Sequence, residues 1–408
     1  MMPMPEIVSS DSLRETRASN PAPRPLRVLF VVEGCTDIRF VAGLSEICEL
    51  SMMVPAREYR RSQLHDRVVQ SGAKLRIHEI PGGRMAFQLR SLRALWQSVD
   101  DFDVILSQEV LRGSLNATLT GRLRGVPVVT YMGISPVEYF HCRRERGQIS
   151  LVSAWAGETV IRTLMAVNGR LASRCLAMGP YLEEVASRSC PRTRIGLYYG
   201  VDVNHFHPAT SVERARLRQR LDLPVDEFLI VLSSRISHEK DPETVLEATS
   251  IARRRGLDAV VLNLGGGYRE FLELASALEF EDASQWVLGR PAVHPMMELA
   301  DYLRTADVLA QASLAEGLGL SPLEALACET PVVATAVGGL AAHLGPYARL
   351  TPRQDAEAMA QAFLDIAADP EGARAQAHAG REYVRREWSR EKAFGDLARI
   401  LEDVSADR

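Results

Sequence analysis

No run in the 408 residues reaches the ~18 consecutive apolar side chains of a membrane-spanning helix, which excludes a helical integral membrane protein. Cysteine is scarce. Cys35, Cys48, Cys142, Cys175, Cys190 and Cys328 form no CxxC pair and no Cys/His ligand spacing, which speaks against a disulfide framework or zinc and for reduced thiols in the cytoplasm. Basic residues are not in excess either. The 48 Lys plus Arg against 52 Asp plus Glu leave a net charge of −4, so general attraction to nucleic acid is excluded and any polyanion must be met locally. No GxGxxG stands after a strand, so a nicotinamide-type dinucleotide site is not indicated, and no short-period repeat suggests a solenoid. The opening MMPMPEIVSSDSLRETRASNPAPRP has no apolar core behind a basic start and reads as a disordered tail over 1–25.

The length suits two domains of about 150 to 200 residues each. From Leu26, short β-rich runs alternate with stretches long enough for a helix: LRVLFVVE, ELSMMV, KLRIHEI, FDVILSQ, VPVVTYMG, RCLAM and RIGLYYG. That alternation marks right-handed crossovers and a doubly wound parallel sheet. The pattern restarts with FLIVLSSR, followed by AVVLNLGGG, WVLG, DVLAQAS and PVVATAV, and the polar junction GVDVNHFHPATS between the halves is a hinge candidate. After Asp355 only helices are expected. The fold class is therefore α/β, with two Rossmann-like domains facing across a cleft where ligands of open α/β sheets bind.

Four stretches carry chemistry. In SSRISHEKDPE, Arg235 and Lys240 flank a strand-to-helix turn, with Asp241 as N-cap and Pro242 opening the helix; two cations beside a positive helix end suit a diphosphate. His238 and Glu239 are expected to be exposed neighbours. LGGG at 264–267 and VGG at 337–339 let backbone approach a ligand closely. In EGLGLSPLE, Ser321 reads as an N-cap, Pro322 as the first helical residue and Glu324 as the third, a capping box. Glu316 falls in the loop before it, where its carboxylate accepts from hydroxyls while Gly317, Leu318, Gly319 and Leu320 present backbone N–H groups to the cleft. Two carboxylates spanning this loop suit one sugar each.

EGLGLSPLEALA resembles the E-x7-E signature of retaining glycosyltransferases of family 4, which have the GT-B architecture. SSRISHEK is similar to that family's Arg-x4-Lys element, YYGVDVNHFHP to its hinge, and PVVATAVGG to the strand and glycine pair after the second glutamate. The resemblance implies a retaining, metal-independent transfer of a hexose-type sugar from a nucleotide-diphosphate sugar, UDP- or GDP-linked, to a hydroxyl acceptor: a glycan, a lipid-linked glycan or a small molecule. The donor is a co-substrate, and no cofactor is implied. Arg235 and Lys240 would hold the diphosphate, Glu316 the transferred sugar and Glu324 the ribose, with Gly266 and the backbone at Gly289-Arg290 lining the nucleotide site. Asp101-Phe102-Asp103 superficially matches an Asp-x-Asp metal motif but reads as a surface turn before a strand.

The resemblance also frames domains: the tail over 1–25, an acceptor-side domain over 26–205, a nucleotide-sugar domain over 206–385 and a helix over 386–408 crossing back, with Trp388 near the seam. The chain departs from relatives in having only Gly34 after the first strand, where many have a glycine pair, and Met132 where many have histidine. The acceptor side is assigned to Gly34, Met132, His141, Arg143 and Arg144. The basic run EYFHCRRERGQ (138–148) is open to two readings, contact with an anionic or lipid-linked acceptor at the inner face of the membrane, or a solvated turn before a packed helix. A GT-B nucleotide-sugar epimerase and a non-catalytic sugar-nucleotide sensor are the rival functions.

Overall fold

A computed structural model describes residues 24–34, 36–62, 64–145, 151–294 and 296–407. The expected tail lies outside the described residues apart from Arg24 and Pro25. Seven strands, β1 (Arg27–Val31), β2 (Glu49–Pro55), β3 (Leu75–Ile80), β4 (Val104–Ser107), β5 (Val128–Met132), β6 (Arg174–Ala177) and β7 (Thr193–Ile195), form one sheet in the order β3-β2-β1-β4-β5-β6-β7. Six more, β8 (Phe228–Leu232), β9 (Ala259–Asn263), β10 (Val287–Gly289), β11 (Val308–Gln311), β12 (Val332–Thr335) and β13 (Arg349–Thr351), form a second in the order β10-β9-β8-β11-β12-β13.

The central strands are runs of Val, Leu, Ile and Phe because helices cover both sheet faces: Val28 to Val31 and Leu229 to Leu232 are buried without alternation. Two differences from the sequence reading have local causes. RIGLYYG is strand only through Ile195, because Tyr198 leaves the sheet to stack on Phe40 at 4.2 Å between centroids. β13 was not anticipated, since its three residues, RLT, are too few to show a period.

In each sheet the strand order reverses once, between β1 and β4 and between β8 and β11. These switch points open crevices at the carboxyl ends of the strands. The last helix, Arg390–Ala406, packs against the first domain: the Phe394 ring lies 6.2 Å from Phe40 and Arg390 pairs with Glu46 at 2.7 Å. Its approach is pinned by backbone bonds, Val201 N to Trp388 O at 2.8 Å and Arg390 N to Val201 O at 2.9 Å. Trp388 is buried, with its ring 5.1 Å from that of His343. Across the cleft, His238 Nε2 meets the Cys142 carbonyl at 3.1 Å and Arg353 pairs with Glu145.

Candidate functional site

At the switch point of the second sheet, the chain leaves β8, passes a 3₁₀ turn at His238–Lys240 and enters the helix Pro242–Arg254. Asp241 occupies the N-cap position in left-handed conformation (φ 46°), and its carboxylate accepts from Thr244 Oγ1 at 2.6 Å. The neighbouring loop, after β11, carries Glu316. Lys240 Nζ donates to Glu316 Oε2 at 2.5 Å, Gln311 Nε2 to the same oxygen at 2.6 Å, and the Gly317 amide to Oε1 at 3.2 Å. Both members of the Lys240–Glu316 pair are largely shielded, at 21 and 15 % side-chain exposure. Parallel order thus brings these two predicted residues together from loops far apart in sequence.

Arg235 does not join them. Its guanidinium turns to Glu239 Oε1 at 2.6 Å and stays 65 % exposed, so the two cations address different carboxylates rather than one point. The cause is Glu239, which is buried rather than exposed and needs a cation. His238, expected beside it as an exposed neighbour, is instead partly buried in its bond to Cys142.

The expected capping box at 321–324 is not formed. The helix begins at Leu320, with Gly319 (φ 87°) at the N-cap, and Ser321 Oγ donates to the Ser233 carbonyl at 3.4 Å. Glu324 is then too deep in the helix to reach its first amides. Its Oε1 accepts instead from Arg39 of the first domain, whose guanidinium also donates to Asp37 Oδ2 at 2.9 Å and Tyr199 Oη at 2.6 Å and lies 4.2 Å over the Tyr199 ring. Burial pushes the Glu324 carboxyl up, against the opposing pull of Arg39. Burial works to raise Asp37 too, but the charge and hydrogen bonds of Arg39 hold it below the usual carboxylate range. Sequence reading missed Arg39; its one signal was Glu324 itself, a charge in the apolar run LSPLEALA that demands a buried partner.

The glycine loops are closer packed than expected. A Cβ on Gly317 would stand 2.4 Å from the Gly133 carbonyl of the first domain, so only glycine fits this interdomain approach. Its amide is committed to Glu316 rather than presented to the cleft, and Leu318 is buried with its carbonyl accepting from His343 Nε2 at 2.7 Å. A Cβ on Gly266 would meet only Arg235 Cβ, at an ordinary 3.9 Å, whereas its neighbour Gly265 is the one pressed on backbone, a Cβ there lying 1.8 Å from the Ser234 carbonyl. The Arg290 amide donates to Asn263 O at 2.9 Å and its guanidinium to Asp222 O at 3.2 Å.

The described acceptor-side residues each have their own neighbours. A Cβ on Gly34 would lie 3.3 Å from the Arg84 guanidinium. His141 pairs with Glu158 at 2.9 Å, Arg144 is exposed, and the Arg143 side chain lies outside the described residues, as does 146–148 of the basic run. Met132, buried at the end of β5, borders an apolar cavity of about 310 Å³ lined also by Gly133, Ile134, Tyr139, Phe140 and Glu109. Burial, with the adjacent Glu33 carboxylate, pushes the Glu109 carboxyl up to about 7, although the Gly113 amide donates to it. Asp103 of the Asp-x-Asp triplet holds Arg24 at 2.8 Å and Arg27 at 3.0 Å.

Two facing doubly wound domains with paired switch points define the GT-B architecture. Anabaena HepE, solved in complex with UDP-glucose, is similar to the chain with a TM-score of 0.74 at 16 % identity, over 93 % of this chain and 100 % of that one. Residues 213–383 match the family model described as glycosyl transferases group 1. The D-inositol 3-phosphate glycosyltransferase of Thermobispora bispora is 31 % identical over 332 residues, 76 % of this chain and 73 % of that protein. Its counterpart from Catenulispora acidiphila is 31 % identical over 284 residues, 66 % and 65 % of the two chains. The chain belongs to the glycosyl transferases group 1 family. It spans 33 to 65 % of the length of the first curated relatives that it matches.

Proposed function

We propose that this protein is a retaining, metal-independent glycosyltransferase that moves a hexose-type sugar from a UDP- or GDP-sugar to a hydroxyl acceptor. The observation that carries the reading is the Lys240–Glu316 pair at 2.5 Å, a cation and a carboxylate side by side at the switch point of the second sheet. In this scheme Lys240 turns from Glu316 to the diphosphate, Arg235 swings in from its exposed position, and Glu316 is left to accept from hydroxyls of the sugar. The diphosphate gains negative charge as the glycosidic bond breaks, so cations held there stabilise the transition state more than the ground state. That supply of positive charge is what supports a metal-independent reaction. The acceptor oxygen attacks the face from which the diphosphate leaves, which retains the anomeric configuration. Glu324 takes the ribose hydroxyls in competition with Arg39, whose guanidinium keeps Asp37 as its counter-charge.

The acceptor enters from the first domain, where the cavity beside Met132 and Glu109 adjoins Gly133 and hence Gly317. The family relatives named as inositol-phosphate glycosyltransferases and the UDP-glucose complex of HepE support a nucleotide-sugar donor and a polyol or glycan acceptor. Buried free thiols at Cys48, Cys142, Cys175, Cys190 and Cys328 support a cytoplasmic location. The test is release of nucleoside diphosphate from a panel of UDP- and GDP-sugars, with and without acceptor extracts and with chelator, followed by NMR of the product's anomeric proton. Acceptor-dependent, chelator-resistant release with unchanged configuration is expected. Release without acceptor would favour the epimerase, binding without turnover the sensor, and inversion or chelator sensitivity would overturn the mechanism.

A further inference from the structure

The helices Arg84–Ser98 and Arg112–Arg124 pack side by side on the outside of the first sheet and carry apolar side chains that folding does not use. Met85, Leu89, Leu92 and Trp96 recur at i, i+4, i+7 and i+11, one face of a helix. That face points to solvent: Met85 and Leu89 are 71 and 82 % exposed, and on the neighbouring helix Leu123 is 63 % exposed. Between the helices runs a groove of about 460 Å³ lined by Leu89, Leu92, Arg93, Trp96, Leu119 and Leu123. The same first helix already buries Phe87, Ser91 and Leu95 inward, and Asn116 of the second ties it down by donating to Ser91 Oγ at 2.9 Å and the Gln88 carbonyl at 2.6 Å. The outer stripe is therefore surplus to the domain's own packing.

Its charge is of one sign. The two helices, RMAFQLRSLRALWQS and RGSLNATLTGRLR, contain Arg84, Arg90, Arg93, Arg112, Arg122 and Arg124 and no acid, in a chain of net charge −4. Some of these are partnered at the rim: Arg84 lies 4.0 Å from Glu58, Arg112 pairs with Glu33, and Arg124 pairs with Asp100 while resting 5.1 Å over the Trp96 ring. Arg93 and Arg122 stand exposed beside the leucines. Among the described residues no helix is long and apolar enough to cross a membrane.

We propose that this face lies on the surface of an anionic bilayer, with the leucines and Trp96 in the acyl boundary and the arginines at the headgroups. Leucine and tryptophan flanked by arginine is the composition of an interfacial surface. Self-association is disfavoured by the same charges, since a two-fold contact through this face sets arginine against arginine. The surface differs from the 138–148 run. It meets the cleft mouth at one end, where Arg112 Nη1 approaches Met85 Sδ at 3.6 Å beside the Glu33 loop.

The test is co-sedimentation of the full chain with vesicles of phosphatidylglycerol and phosphatidylcholine, against pure phosphatidylcholine. Binding to the anionic vesicles is expected to exceed that to neutral ones by roughly tenfold or more and to weaken with salt. Leu89→Asp/Leu123→Asp and, separately, Arg93→Glu/Arg122→Glu should each reduce it roughly tenfold, with melting curves like the parent's because these side chains are exposed. Equal partition of parent and variants, or no binding to anionic vesicles, overturns the proposal. So does a dimer or a complex with an acidic protein that Leu89→Asp/Leu123→Asp abolishes while vesicle binding persists.

Discussion

Arg39→Ala removes the cation that Asp37 and Glu324 share at the interdomain seam. Glu324 is 2 % exposed, so the variant leaves a carboxylate with neither water nor a counter-charge. Breaking a buried pair by deleting one partner costs about 3–5 kcal/mol. In a domain of this size that is a fall in melting temperature of roughly 6–20 °C. Glu324→Gln should be milder, about 1–3 kcal/mol, because Arg39 keeps Asp37 as its counter-charge. The double variant should therefore recover part of the Arg39→Ala deficit, since the orphaned charge is gone. The pH dependence follows from the sign of the linkage. Without Arg39, burial raises the Glu324 carboxyl further above its unfolded value, so the folded state holds a proton that the unfolded state releases. The Arg39→Ala deficit should then shrink on acidification and grow as pH rises. Urea titrations of the four proteins across pH measure all of this. An Arg39→Ala loss below about 1 kcal/mol, or a double variant no better than Arg39→Ala, would refute the buried-pair argument.

Lys240→Ala and Arg235→Ala should both lower turnover of the donor, yet differ in stability. Lys240 leaves a shielded Glu316, a loss of about 1–3 kcal/mol, whereas the exposed Arg235 contributes within about 1 kcal/mol. Exposed Glu247→Ala is the control in the same melting and diphosphate-release assays. Gly317→Ala places a Cβ 2.4 Å from the Gly133 carbonyl and should prop the domains apart, which small-angle scattering would register as a larger radius of gyration; an unchanged radius counts against the close approach. Glu109, at about 7 against an ordinary 4.5, contributes stability below pH 4.5 that is lost as pH rises through 7, up to about 3 kcal/mol. Glu109→Gln should flatten that slope, and a parallel pH profile would show that Glu109 does not titrate there.

The strands were legible because strands buried on both faces must be continuously apolar, and FLIVL or VVLN admits little else. From strand and helix order alone Glu316 fell into a loop beyond β11, and the switch-point rule then set that loop beside the one after β8. What sequence did not reveal was the pairing. Arg39 and Glu324 are 285 residues apart, and their contact depends on how two domains close, which no periodicity records. Arg235 and Lys240 read alike as loop cations. The burial of Glu239 separates them, and burial of one loop carboxylate among several is a tertiary outcome.

The same contrast sets the two glutamates of EGLGLSPLE apart. Glu316 takes its bonds from Lys240, Gln311 and Gly317, all within its own domain, so its setting survives any movement of the cleft. Glu324 is held by Arg39 from across the seam, so whatever opens the cleft frees its carboxylate, and whatever binds that carboxylate must compete with a guanidinium that already has Asp37 and Tyr199. A ribose arriving at Glu324 would then draw its affinity from the difference between two sets of hydrogen bonds. If Glu324 holds the ribose as proposed, nucleotide entry and domain opening are coupled through its contact with Arg39, so the stability of the Arg39 variants and their affinity for nucleoside diphosphate are to be measured together.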